Sequence, residues 1–98
     1  MLLAKVVGNI VATQKAPRLQ GMKLLCLQPC VPQGEGFIPS GATLVAVDFL
    51  GAGEGAFVLV TQGSSARLAQ NQKDCPVDAV IVGIVDQAEM GGKPLEKP

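Results

Sequence analysis

The chain has 98 residues, 48% of them apolar, with 12 glycines and 7 prolines, which suits one loop-punctuated core and excludes a disordered chain. Eight acidic and eight basic residues cancel, so no charge excess steers it towards nucleic acid or an anionic membrane. Three Phe stand without Trp, Tyr or His, which removes stacking platforms, the commonest general base and the commonest metal ligand.

The opening MLLAK is too short and too soon charged for a signal peptide. No apolar run approaches the roughly 20 residues of a membrane span. The expectation is one domain over residues 1–98 that stays inside the cell, with no membrane contact. Leu3 to Thr13 is rich in β-branched residues and reads as a first strand, bent or bulged at Gly8. Gln14 to Gly21 is a loop. Met22 to Gln28 is a second strand, ended by Pro29. Cys30 to Ala42, with its prolines and glycines, reads as a surface excursion pinned by Phe37 and Ile38.

Thr43 to Leu50 and Ala56 to Gln62 are the third and fourth strands. The loop between them suits a hairpin, so Val45 to Arg67 reads as strand, glycine turn, strand and small-residue turn. Ser64 or Ser65 can cap a helical turn through Leu68 and Ala69, and Pro76-Val77-Asp78 can start another. Ala79 to Asp86 is the last main strand. Gly91-Gly92 separates it from the tail Lys93 to Pro98, which adds an edge strand or frays. Five strands with short links and no long helix predict an all-β fold, a small five-stranded OB-like barrel with short helical turns.

The strand faces carry a second message. Val80, Val82 and Ile84 lie opposite Ile81, Gly83 and Val85; Val6 and Ile10 lie opposite Val7 and Val11. Both faces are apolar, yet a barrel has one interior. Each buried Val, Leu or Ile contributes roughly 1.5–3 kcal/mol. A handful on an outer face approaches the whole stability of a small domain, about 5–15 kcal/mol. The pattern therefore predicts an obligate oligomer, with neighbouring subunits covering the outer faces.

Three motifs invite chemistry. Gly51 to Ala56 (GAGEGA) fits the letters of a dinucleotide fingerprint, but that motif works at a helix N-terminus, and Phe57 to Val60 reads as strand. A turn, or glycines packed against another subunit, is the simpler reading. Gly63 to Arg67 (GSSAR) lacks the second glycine of a nucleophile elbow, and no His is present to activate a serine. The simpler reading is a helix cap, with Arg67 either solvated or bonding carbonyls and carboxylates between subunits, Asp48, Asp78 and Asp86 being candidate partners. Cys26, Cys30 and Cys75 do not have zinc spacing. If extended, Cys26 and Cys30 lie about 13 Å apart, beyond the roughly 7 Å limit of a disulfide. Asp48, Glu54 and Asp86 all sit near strand ends and could supply a carboxylate pair, but no cleft or partner base is implied, so catalysis is not expected. Lys15, Arg18 and Lys23 make a basic cluster too small for nucleic acid.

KVVGNIVATQK, KLLCLQP, VAVDFLGAGEG, VLVTQGSSAR and PVDAVIVGIVD resemble, in order and spacing, the EutN/CcmL family of bacterial microcompartment vertex proteins. The resemblance runs from Leu3 to Asp86. It implies an OB-related barrel in a cyclic pentamer that closes the fivefold vertices of a carboxysome- or metabolosome-type shell. It further implies hexameric and pseudohexameric shell proteins as partners, the bacterial cytoplasm as location, and no catalysis, cofactor or metal. Gly51, Gly53, Glu54, Gly55, Gly63, Ser64, Ser65, Arg67, Asp78 and Asp86 fall in the matching blocks and are expected at subunit contacts or near the ring axis. Two alternatives stand beside it: a co-chaperonin-like ring with Cys30 to Ala42 as its mobile loop, and a small nucleotide-binding module using Gly51 to Ala56.

Overall fold

A computed structural model describes residues 1–12, 17, 21–63 and 78–98. Its strands are β1 (Leu2–Ile10), β2 (Lys23–Gln33), β3 (Gly36–Pro39), β4 (Leu44–Asp48), β5 (Phe57–Gln62), β6 (Ala79–Ile84), β7 (Ala88–Met90) and β8 (Lys93–Leu95). β1, β5, β6, β4 and β2 follow one another in a sheet, and a further β1–β2 pairing closes it into a five-stranded barrel. All of these pairings are antiparallel except β4–β6, which is parallel through Val47↔Val80 and Asp48↔Ile81. Among the described residues there is no α-helix. The helical turns expected at Ser64–Ala69 and Pro76–Asp78 lie, apart from Asp78, outside the described residues.

Strand alternation fills the barrel. Val6, Leu25, Leu27, Val58, Val60 and Ile81 point inward and are fully buried, interleaved with Ala4, Ala46, Ala52 and Ala79. Large and small side chains face each other, as a narrow interior requires. The break near Gly8 is a bulge: the β1–β2 register shifts between Val6 and Gly8, leaving Val7 without a partner on β2.

Three expectations need correction. β4 and β5 are not a hairpin, because β6 lies between them. The segment joining them crosses the mouth of the barrel instead. Its near part dips into the core through Ala52, and its far part is drawn to β1 by Gly55 N donating to Val6 O and Val6 N donating to Ala56 O.

Pro29 does not end β2, which runs on to Gln33. In an extended strand, a residue's amide and carbonyl point to the same side. Pro29 O accepts from Ser40 N, so that side of Pro29 lies in the gap between the β4 partners, which end at Leu27, and the β3 partners, which begin at Cys30. The missing N–H therefore interrupts no rung. Cys30 to Ala42 is accordingly not a plain excursion but the β2–β3 hairpin, turning at Gly34 with φ 64°. Of its two expected anchors, Phe37 packs edge-on against Phe57, with ring centroids 4.8 Å apart, whereas Ile38 is exposed.

The outer-face argument holds in part. Val47 and Val80 lie on the outside yet are buried within the protomer, packed with Met22, Leu24 and Val82. Val7, Val31, Ile38, Val45 and Ile84 remain exposed. The tail neither frays nor joins the barrel. β7 and β8 form a separate hairpin across Gly91-Gly92, both at positive φ, as a two-residue turn demands.

Candidate assembly surface

Asp48 is the last residue of β4 and has Lys23 of β2 as its register partner. Its side chain is fully buried. Such a carboxylate is costly unless its oxygens are satisfied. Here Oδ1 accepts from Leu50 N at 2.9 Å and Gly51 N at 3.2 Å, and Oδ2 accepts from Ala52 N at 2.8 Å. Lys23 Nζ stands 3.6 Å from Oδ2 and donates to Ala52 O at 3.0 Å. Lys23 is half-exposed, so the ion pair adds little. The three amide bonds, each worth about 1.5–3 kcal/mol to a charged acceptor, fix the loop.

The loop's own residues follow from that anchor. Gly51 has φ 82° and Gly55 φ 88°, a region that only glycine enters cheaply. Ala52 is small enough to enter the core. Gly53 is different: its φ is ordinary, and a Cβ built on it would meet nothing within 4 Å. Nothing in the protomer requires glycine there. Glu54 is exposed, and Ala56 N donates back to Gly53 O at 3.0 Å. Lys5, Val6 and Val7 of β1 face Glu54 and Gly55 across a cleft of about 330 Å³.

Gly51, Gly53, Glu54 and Gly55 thus sit together. Gly63 and Asp78 form a second group: Gly63, with φ 69°, donates its amide to Asp78 O at 2.7 Å, tying the end of β5 to the start of β6. Asp86 stands apart, exposed in the bend between β6 and β7. Ser64, Ser65 and Arg67 lie outside the described residues, as do Cys75, Lys15 and Arg18. Asp48, offered above as a partner for Arg67 or half of a carboxylate pair, has its oxygens committed to the loop. Sequence reasoning missed its role and that of Ala52. The available signal was an Asp three residues before a glycine at a strand end, which suits an Asx-type turn.

The chemistry of this surface is limited. The amides of Leu50, Gly51, Ala52, Gly55 and Ala56 all donate inside the protomer, so they do not form a cradle for phosphate, and β5 rather than a helix follows. Among the described residues no three His, Cys, Asp or Glu side chains cluster as a metal site. Cys26 and Cys30 are both free. The Cys30 thiol donates to Gln28 O, and burial pushes its pKa up against the smaller opposing pull of the Lys5 amide and charge.

The sequence matches the EutN_CcmL family, described as ethanolamine utilisation protein EutN/carboxysome, over residues 1–86. The chain belongs to the EutN/CcmL family. Among its relatives, the microcompartment shell vertex protein GrpN of Rhodospirillum rubrum is 45% identical over 91% of this chain and 97% of its own. The shell vertex protein EutN of Escherichia coli is 44% identical over 95% of each. The carboxysome shell vertex protein CcmL of Synechocystis is 42% identical over 97% of this chain and 92% of its own. In three dimensions the chain is similar to the CcmL structure of Gloeobacter violaceus, with TM-score 0.86 at 38% identity, covering 98% of this chain and 96% of that one. It is also similar to the pentameric shell protein GrpN, with TM-score 0.80 at 46% identity, covering 92% and 99%. The EutN/CcmL match spans the whole barrel, the Asp48 loop and Asp86. The β7–β8 hairpin lies beyond it.

Proposed function

We propose that this EutN/CcmL protein is a structural vertex subunit of a bacterial microcompartment shell. Five copies form a ring that occupies a fivefold vertex, in the bacterial cytoplasm. The ring seats among hexameric and pseudohexameric facet proteins, and five subunits among hexagonal tiles supply the curvature that a flat hexamer layer lacks. The protein is not an enzyme and needs no cofactor. The observation that carries this reading is similarity above 40% identity, over nearly the full length of both chains, to proteins named shell vertex proteins.

The physical features fit. Val7, Val31, Ile38, Val45 and Ile84 are exposed apolar side chains spread around the barrel, as a cyclic head-to-tail contact between two different faces needs. Gly51, Gly53, Glu54 and Gly55 form one contact element in this proposal. Gly63, Ser64, Ser65, Arg67, Asp78 and Asp86 supply the remainder of the contacts or the ring axis. The two alternatives lose their premises: the glycine loop spends five of its amides internally and leads into a strand rather than a helix, and the segment needed as a co-chaperonin's mobile loop is paired through four residues of β3.

Deleting the gene in a host with no second vertex gene tests the function. Shells are then expected to be unclosed, elongated or leaky, and closed shells with unchanged permeability would contradict it.

A further inference from the structure

The loop over residues 49–56 touches the barrel at four independent places. Asp48 of β4 holds three successive amides. Lys23 of β2 holds the Ala52 carbonyl. Ala52 itself fills the core. Val6 of β1 holds Gly55 and Ala56 by two backbone bonds of 2.8 and 2.9 Å. The loop's shape is therefore fixed by barrel closure alone, before any neighbour arrives. Its outward side walls the cleft against Lys5, Val6 and Val7.

We infer that Asp48 is a positioning residue for the subunit contact, presetting the loop so that a second copy of this chain can seat in the cleft beside it. This rests on the ring reading above. Three features favour a protein surface over a small ligand as the occupant. Five of the loop's amides, those of Leu50, Gly51, Ala52, Gly55 and Ala56, are already bonded within the protomer and are not offered to a small anion. The cleft walls combine an apolar Val7 with one cation, Lys5, and one anion, Glu54, and among the described residues neither charge makes an ion pair within the protomer. Gly53, adjoining the cleft, is a glycine that the protomer's backbone and surroundings do not require, which suits the close approach of another chain. A preset loop also spares association the cost of ordering it.

The test uses the full-length protein and two substitutions. Asp48→Asn keeps the side chain's size but turns the oxygen that accepts Ala52 N–H into a donor. Lys23→Met removes the ion pair and the half-exposed bond to Ala52 O but leaves the three amide bonds to Asp48. Asp48→Asn is expected to raise the concentration at which the ring half-dissociates at least about tenfold, the loss of one charge-assisted bond per contact. Lys23→Met is expected to raise it less than Asp48→Asn does, because its ion pair and its single bond to Ala52 O are both half-exposed and screened by solvent. The β-sheet circular dichroism of both should match the parent. An Asp48→Asn ring that dissociates at the parent's concentration overturns the inference.

If Asp48→Asn does not fold, hydrogen exchange on the unaltered protein, diluted until the ring dissociates, decides. Amides of Leu50, Gly51 and Ala52 protected in the separated protomer support a preset loop. Amides protected only in the ring overturn it. A protein that forms no ring at any concentration instead overturns the functional reading, whatever its loop amides do.

Discussion

Gly53→Val separates a turn requirement from an interface requirement. In the isolated protomer, Gly53 has an ordinary φ, and an added Cβ meets no atom within 4 Å. Removing a glycine at such a site stabilises by about 0.4–1 kcal/mol, through the unfolded chain. The melting temperature of the separated protomer should hold or rise by a few degrees, at about 4–8 °C per kcal/mol for a domain of this size. Gly51→Ala is the control. It forces a side chain to φ 82°, at about 1–2 kcal/mol, and should lower that temperature by roughly 4–16 °C. In the ring the order reverses. Overpacking costs about 1–3 kcal/mol per site, and a cyclic ring repeats the penalty at every contact. Gly53→Val should therefore abolish the ring and spare the barrel. Native mass spectrometry reads the ring and calorimetry reads the protomer. An intact Gly53→Val ring would refute the interface argument. A protomer weakened as much as by Gly51→Ala would refute the claim that Gly53 is free of backbone strain.

Ile81→Ala empties the centre of the barrel, where Ile81 is fully buried, and should cost about 2–5 kcal/mol in denaturant unfolding; a loss below about 1 kcal/mol would mean the core is mis-assigned. Gly36→Val places a Cβ 3.3 Å from Glu96 O, beside the 2.7 Å bond from Glu96 N to Glu35 O. It should speed exchange of the Glu96 amide and leave the barrel amides unchanged, and an unaffected Glu96 would show that the two hairpins are not joined there. Burial raises the Cys30 pKa, so the folded state holds its proton more tightly than the unfolded one. That contribution is complete below the unfolded thiol value of about 8.5 and is lost as pH rises through the higher folded value. Stability should fall over that alkaline window, and Cys30→Ala should flatten the fall; an equally steep fall in the variant would assign it elsewhere.

Strand existence was legible because Val, Leu and Ile cluster between glycine and proline breaks. Pairing order was not. From sequence, Gly51 to Gly55 looks like a local turn joining neighbours. Only β6, arriving later in the chain, takes the place between β4 and β5, and that long-range choice leaves no mark in the loop itself. Pro29 misled for a related reason: a proline stops a strand only where its amide would meet a partner, and here it faces a gap. The glycine loop was legible as a place. The buried Asp48 that shapes it was read as a partner for Arg67 or half of a carboxylate pair, because an Asp at a strand end suits those roles as well as it suits capping a loop. The two-sided apolar pattern pointed to an oligomer, but the Val47–Val80 cluster shows that part of that surface is covered within one chain.

The ring itself is the central claim, and the mass of the native assembly tests it most directly. Native mass spectrometry at low micromolar concentration should find a species five times the mass of the 10.1 kDa chain. A monodisperse monomer under the same conditions would contradict the account.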